Sequence, residues 1–265
     1  RTLRPAVVLA ALALFVVAQW PVAPPDVPVV TFLDVGQGDA ILIRDPSGAT
    51  ALVDGGRDPL VLRRALRRQG VRSVDLLVVT HGDADHVGGL VGIGDVLDVG
   101  AMWYPAGQSL GEILPEVIEA VEDGGAAVAA VGAGHRVMLG RIEVQVLGPR
   151  RRYASDNDGS IVLWVAVGAA TALLTGDVEA VGQAELPIVR PAILQVPHHG
   201  SATTDIEWLV GTVGEVAVVS VGPNTYGHPD PDVMAALDAA GAAVHTTVGE
   251  GDVVIRLCDA CPAAP

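Results

Sequence analysis

The hexapeptide His81-Gly82-Asp83-Ala84-Asp85-His86 restricts this chain more than any other stretch. It closes the apolar run Val74-Asp75-Leu76-Leu77-Val78-Val79-Thr80, which reads as a buried strand. Buried strands end where polar side chains can reach solvent or a ligand. Four side chains of metal-ligating type therefore crowd into six residues at a strand end. A turn there points His81 and Asp83 at one spot and Asp85 and His86 at a second. Imidazole nitrogens and carboxylate oxygens suit zinc, manganese or iron, so the segment reads as half of a two-metal site. The plain alternative is a solvated turn rich in Asp and His.

Further clusters weigh against that alternative. Ala51-Leu52-Val53-Asp54-Gly55-Gly56 sets Asp54 at a strand end before two conformationally permissive glycines. Leu173-Leu174-Thr175-Gly176-Asp177 repeats the arrangement, and Ile193-Leu194-Gln195-Val196-Pro197-His198-His199 ends another strand in paired histidines. A single strand-end aspartate is more often a helix N-cap than a ligand. The set together indicates a metallohydrolase.

With these residues in place, the chain resembles the metallo-β-lactamase-fold hydrolases, whose motif is His-x-His-x-Asp-His followed by later Asp and His ligands. More narrowly, it resembles the C-terminal domain of the ComEC family of channels for DNA uptake in bacterial competence. The narrower likeness rests on Phe32-Leu33-Asp34-Val35-Gly36-Gln37-Gly38-Asp39-Ala40, the His81 hexapeptide and Asn157-Asp158-Gly159-Ser160. It continues through Thr175-Gly176-Asp177, Pro197-His198-His199-Gly200-Ser201 and Tyr226-Gly227-His228-Pro229.

The resemblance implies an α+β fold, a four-layer αβ/βα sandwich with metals at one edge. It also implies ligand sets. One metal takes His81, Asp83 and a bridging Asp177, helped by Asp158; the other takes Asp85, His86, Asp177 and His199. Two departures stand out. Asp83 replaces the family's second histidine, and Asn157-Asp158-Gly159-Ser160 stands where the next histidine belongs. His135 comes too early to substitute. An oxygen-rich first set shifts preference towards harder cations. The expected cofactors are two divalent ions, Mn2+ or Zn2+, with single occupancy as the alternative. Asp34, Gln37, Asp39, Asp54, Asn157 and Ser160 are expected to support the ligands from behind. Asp85, His198 and His228 are expected at the chemistry, with His228 or His198 protonating a leaving oxygen.

The 265 residues suffice for one large domain. The chain opens on Arg1, and the expectation is a piece of a longer membrane channel. Residues 5–23 hold only Gln19 as a strongly polar side chain. As a helix they would span about 27 Å, close to a bilayer core. Arg1 and Arg4 precede this stretch, which puts everything after Pro24 on the extracytoplasmic side of the cell membrane. A signal peptide or a buried core helix are the rival readings. The expected division is a transmembrane helix over 1–24, a linker over 25–29, the catalytic domain over 30–258 and a tail over 259–265.

All sixteen basic residues are arginine, against thirty-one acids, for a formal charge of −15. Such a charge repels nucleic acid at long range and counts against a passive DNA-binding module. Arg63, Arg64, Arg67 and Arg68 recur at helical spacing and read as a solvated helix face. Arg150, Arg151 and Arg152 precede Asn157 closely enough to serve as phosphate ligands, since guanidinium forks match phosphate oxygens. Cys258 and Cys261 suit a small disulfide ring.

The expected function is a metal-dependent phosphodiesterase or nuclease that degrades single-stranded DNA during natural transformation. The membrane and the rest of the competence channel are the expected partners. A hydrolase of small esters or lactones and a non-catalytic domain of the channel are the alternatives. Strands are expected over 29–35, 40–44 and 49–53, and helices over 59–69, near Leu110 and over 178–186.

Overall fold

The computed structural model describes residues 23–258. The expected membrane helix lies outside them but for its last two positions, as do Cys261 and the tail. No helix among the described residues is long and apolar enough to cross a membrane.

The chain first builds an antiparallel meander, β1 (Val29–Phe32), β2 (Ile41–Arg44) and β3 (Thr50–Val53). Helix α1 (Pro59–Arg68) then carries it back across the sheet, as a parallel neighbour requires. Asp58 caps α1 by accepting the amides of Leu60 and Val61, Pro59 opens it, and Leu62, Ala65 and Leu66 form its buried stripe. The strands β4 (Ser73–Val78), β5 (Asp98–Pro105) and β6 (Ala127–Val131) extend the sheet in parallel. The short α2 (Ala84–Val87) and the longer α3 (Leu114–Asp123) lie between them in sequence.

The second half repeats the plan. An antiparallel run, β7 (Arg136–Leu139), β8 (Ile142–Gly148), β9 (Val162–Val167) and β10 (Ala170–Leu174), is followed by parallel β11 (Ile193–Gln195), β12 (Val216–Val219) and β13 (Ala243–Thr246). The crossovers contain α4 (Ala180–Gln183), α5 (Ile206–Thr212) and α6 (Pro231–Ala239). A last turn of helix, α7 (Thr247–Glu250), leads to β14 (Val253–Arg256), which returns to the first sheet beside β1. Two seven-stranded sheets result, ordered β14-β1-β2-β3-β4-β5-β6 and β13-β12-β11-β10-β9-β8-β7.

Period-two alternation distributes the side chains. Phe32, Ile43, Val53 and Val78 of the first sheet meet Val146, Leu163, Val165 and Leu174 of the second in a buried central core. The intervening Leu42, Leu52 and Leu77 face outward onto Leu62 and Leu66 of α1 and Val117 of α3. On the far side, Leu173, Leu194 and Ala217 pack with Trp208, Leu209 and Leu237 of α5 and α6. The layers run helix, sheet, sheet, helix, which is the sandwich the sequence led us to expect.

Three local expectations are corrected. The helix expected over 178–186 shrinks to the single turn α4, because Val178 and Leu186 turn inward as separate core contacts. The helix expected near Leu110 begins only at Leu114. Strand β5 was not anticipated at all. Two of the arginines read as a solvated face are braced: Arg68 pairs with Asp252 at 2.8 Å, and Arg63 donates to the Gly92 carbonyl at 2.9 Å. Cys258 is disulfide-bonded.

Candidate metal centre

Several strands of both sheets end at the same rim, and their last residues carry the chemistry. Asp54 follows β3, His81 follows β4, Asp177 follows β10, and His198 and His199 follow β11. The backbone there is unusual. Asp54, His198 and His199 adopt left-handed conformations, with φ of 58°, 47° and 55°. Such non-glycine residues persist only where the surroundings hold them, and they cluster at functional sites.

The imidazoles are fixed from behind. His86 donates through Nδ1 to the Asp54 carboxylate at 2.9 Å, and both residues are fully buried. Asp54 is itself held by the Thr80 amide at 2.8 Å and the Thr80 hydroxyl at 2.6 Å. With that proton committed, the Thr80 oxygen accepts from His81 Nδ1 at 3.1 Å. His199 donates through Nδ1 to the Ser220 carbonyl at 2.9 Å. In each ring the other nitrogen, Nε2, faces inward.

Those inward atoms converge. His86 Nε2 lies 3.2 Å from Asp177 Oδ1, and His199 Nε2 lies 3.6 Å from Asp177 Oδ2 and 3.7 Å from Asp85 Oδ2. On the other side, His81 Nε2 lies 3.7 Å from Asp83 Oδ2 and 3.9 Å from Asp177 Oδ2. Ligands about 2.1 Å from one tetrahedral cation stand roughly 3.4 Å apart, so the spacing suits an ion in the middle. The Nε2 atoms of His81, His86 and His199 and Oδ1 of Asp177 are buried and have no hydrogen-bond partner among the described residues. Orphaned polar atoms of this kind are rare in folded proteins, and three nitrogens converging on one carboxylate fit a bound cation. Asp39, His86, Asp177 and His199 also offer ligand atoms within 4.8 Å of one another. Asp39, however, sits on the Nδ1 side of both rings, 3.9 Å and 3.8 Å away, and accepts from Gln195 Nε2 at 2.6 Å. Asp85 rather than Asp39 therefore faces the Nε2 atoms.

The electrostatics agree. Burial opposes charge on His86 and His199, yet Asp177 outweighs it, with Asp54 for His86 and Asp39 for His199; His199 is pushed up to about 9. Burial would raise Asp177, but His86 and His199 hold it well below the usual carboxylate range. Asp39 moves the other way, its burial outweighing the neighbouring histidines. The facing His81 holds Asp83 low, and His199 keeps Asp85 low against its burial. The rim is thus an anionic cluster holding protons where a divalent cation would replace them.

The remaining expected residues divide. The Asp34 stretch buttresses the site: Gly38 (φ 120°) lies so close to the Asp85 carbonyl that a Cβ would meet its oxygen at 2.0 Å. The Asp39 amide donates to that same carbonyl at 3.3 Å, while Asp34 accepts the Gly36 amide and Gln37 accepts the Gly222 amide. Ser160 stands 3.4 Å from His81 Nδ1 and accepts the Asp177 amide at 3.3 Å. Asn157 donates to Glu179, which in turn accepts from His198 Nδ1 at 3.1 Å. His228 lies against the paired histidines, its ring 5.1 Å from that of His198. Burial, and then His198 and His199, push its pKa down.

Two expectations do not hold in this geometry. Asp158 makes no hydrogen bond or ion pair to the histidine cluster among the described residues; its carboxylate accepts the Gly182 amide of α4 at 2.7 Å. A buried carboxylate has been spent on an otherwise unpaired helix-start amide. Arg151 is held by Glu185 at 2.7 Å and lies over the Tyr153 ring, so its fork is occupied, whereas Arg150 and Arg152 are exposed. Sequence reasoning also missed Thr80, Glu179, Gln195 and Ser220. The signal for Gln195 was available: a polar residue closing an otherwise apolar strand.

A four-layer sandwich whose sheet ends converge on buried histidines and aspartates is the framework of a metal-dependent hydrolase. The family model of the Metallo-beta-lactamase superfamily matches residues 33–214, and the chain belongs to that superfamily. Among curated proteins, Competence protein ComA of Neisseria gonorrhoeae is 32% identical over 254 residues, covering 90% of this chain and 33% of its own length. ComE operon protein 3 of Bacillus subtilis (strain 168) is 28% identical over 253 residues, covering 86% and 33%. Both are ComEC-like competence proteins, and the chain spans about a third of their length. The metallo-beta-lactamase fold protein YhfI from Bacillus subtilis shares the fold at a TM-score of 0.58 and 12% identity, over 87% of this chain and 99% of that one. Zn(2+)-bound PqqB from Methylobacterium extorquens does so at 0.57 and 14%, over 83% and 88%.

Proposed function

We propose that this chain is a metal-dependent phosphodiesterase that cuts single-stranded DNA as part of a competence DNA-uptake protein. The observation that carries the reading is the convergence of three orphaned Nε2 atoms on Asp177, in a chain whose curated relatives are competence proteins. Asp85, His86, Asp177 and His199 would hold one ion. His81, Asp83 and Asp177 would hold a second, with His198 Nε2 the next nitrogen at 3.6 Å from Asp177. With Asp158 turned away, the first of these sets is the better furnished, which favours one firmly held ion and one weaker.

When bound, a divalent cation supplies a Lewis acid for a phosphoryl oxygen and a water acidified towards neutral pH. The protein's own groups do the rest. Asp54, Thr80 and the Ser220 carbonyl hold the rings through Nδ1, so the inward Nε2 atoms are the ones a cation would take in place of protons. Where the second ion is absent, His198 is placed to protonate the leaving oxygen through Nε2, its ring held by Glu179 at 3.1 Å from Nδ1. His228, kept neutral, donates one N–H to a phosphate oxygen. Arg150 and Arg152, exposed and on the approach to Asn157, attract the backbone. The arginines before the apolar stretch 5–23 set the domain on the extracytoplasmic side of the membrane, beside the rest of the channel.

The test is cleavage of end-labelled single-stranded DNA by the full chain with added manganese, beside Asp85→Ala. Cutting by the wild type alone is expected. An inactive wild type with metal confirmed bound would overturn the nuclease reading.

A further inference from the structure

A groove of about 620 Å³ opens beside the metal centre, lined by Val35, Gln37, Arg57, Asp58, Pro59, Leu60 and Pro223. It shares a wall with the centre. Gln37 stands in the groove next to Gly38, whose Cα packs on the Asp85 carbonyl, and it also reaches the Gly222 amide at 3.4 Å. Pro223 begins the loop that ends in His228.

That loop is rigid. Asn224 accepts the amides of Tyr226, Gly227 and His228 at 3.0, 3.1 and 3.2 Å, and its own amide donates to the His228 carbonyl at 2.8 Å. It presents Tyr226 to solvent, 62% exposed, with its ring 5.9 Å from that of His228. Leu60, 59% exposed, adds an apolar face to the lining of the groove. Exposed large apolar rings and side chains beside a catalytic cleft serve ligands more readily than stability. Only 3% of this chain is aromatic, so a tyrosine held open to water next to the histidines carries weight.

The charges complete the picture. Arg57 is exposed, and its guanidinium makes no hydrogen bond or ion pair among the described residues. The neighbouring Asp58, which lines the same groove, has one carboxylate oxygen committed to the α1 amides at 2.7 Å and 3.4 Å. In a protein of formal charge −15, an unpaired arginine over an apolar floor selects a ligand that is both anionic and flat-faced.

We propose that this groove, with Arg57, Leu60 and Pro223 in its lining and Tyr226 on the adjoining loop, is the track for the single-stranded segment flanking the scissile phosphate. Tyr226 stacks the base nearest the reacting centre, Leu60 and Pro223 receive the next, and Arg57 takes the phosphate between them. Stacking on aromatic faces tolerates any base, so the track grips single strands without reading sequence. The inference deepens the nuclease reading and rests on it for the chemistry alone.

The experiment uses the full chain and its Arg57→Ala, Tyr226→Ala and Tyr226→Phe variants. Binding of a fluorescein-labelled single-stranded oligonucleotide is followed by anisotropy with the metals chelated. Cleavage of the oligonucleotide is then compared with that of bis-p-nitrophenyl phosphate in manganese. Each alanine variant should weaken binding roughly tenfold and lower the ratio of oligonucleotide to small-diester kcat/KM by a similar factor, with Tyr226→Phe restored. Variants that bind and discriminate like the wild type would overturn the track while leaving the nuclease reading intact. A wild type that binds the strand but cuts neither substrate would sink the nuclease reading and leave the track. A wild type that does not bind the strand would overturn the track whatever it cuts.

Discussion

His86 Nδ1 and the Asp54 carboxylate stand 2.9 Å apart with neither residue exposed to solvent. Asp54 accepts this bond from a left-handed backbone position, φ 58°, which asparagine also tolerates. Asp54→Asn should therefore fold while losing the anion behind the imidazole. Affinity for zinc or manganese should fall by about ten- to a hundredfold in calorimetric titration, the usual cost of removing such a support. Unchanged affinity would show the Asp54 contact to be dispensable.

Gly38 admits no side chain. A Cβ would stand 2.0 Å from the Asp85 carbonyl oxygen, at φ 120°. Gly38→Ala should cost at least about 2 kcal/mol in urea unfolding, through strain and the displaced loop. A stability within error of wild type would mean that the 33–40 segment yields freely.

Asp85→Ala and His86→Ala should separate function from folding. Both should abolish stoichiometric metal binding and catalysis. The Asp85 side chain is partly exposed, and its removal relieves repulsion with Asp177 as well as losing His199, so stability should change little. His86→Ala leaves a buried gap and strips Asp54 of a partner, a loss of about 2–4 kcal/mol. Urea unfolding in chelator, with metal content read by mass spectrometry, checks both. Equal destabilisation of the two would contradict this division.

Asp252 ties β14 to α1 and to the Asp34 turn. Burial alone would raise its pKa, but Arg68, the Asp34 amide and Gln69 outweigh burial and lower it. A carboxylate depressed in the folded state contributes stability above its unfolded pKa and loses it as pH falls through the folded value. Metal-free protein should therefore melt at lower temperature below about pH 4, and Asp252→Asn should flatten part of that slope. An identical acid profile in the variant would remove Asp252 from the account.

The sequence revealed the site where ligands were bunched and hid it where they depended on distance. His81, Asp83, Asp85 and His86 were legible because a single turn after an apolar run carries them all. Asp177 and His199 were legible as polar residues closing buried strands. Gln195 closes an apolar strand in the same way, but its partner was not legible, since the bond to Asp39 joins residues 156 apart. Asp158 misled because an aspartate near a strand end serves a helix amide as readily as a metal. Strand β5 escaped notice because Gly100 and Pro105 interrupt its pattern. Gly100 is there because the Asp75 carbonyl would lie 3.0 Å from any Cβ.

The division of the rim between the two sheets has its own consequence. Residues up to His86 supply only one side of the ligand shell, and Asp177, His198 and His199 arrive from the other sheet. Neither half on its own is a weakened catalyst; it is simply not one. Metal uptake would then be a keystone test of assembly, since an ion at this rim would need both halves locked to be retained.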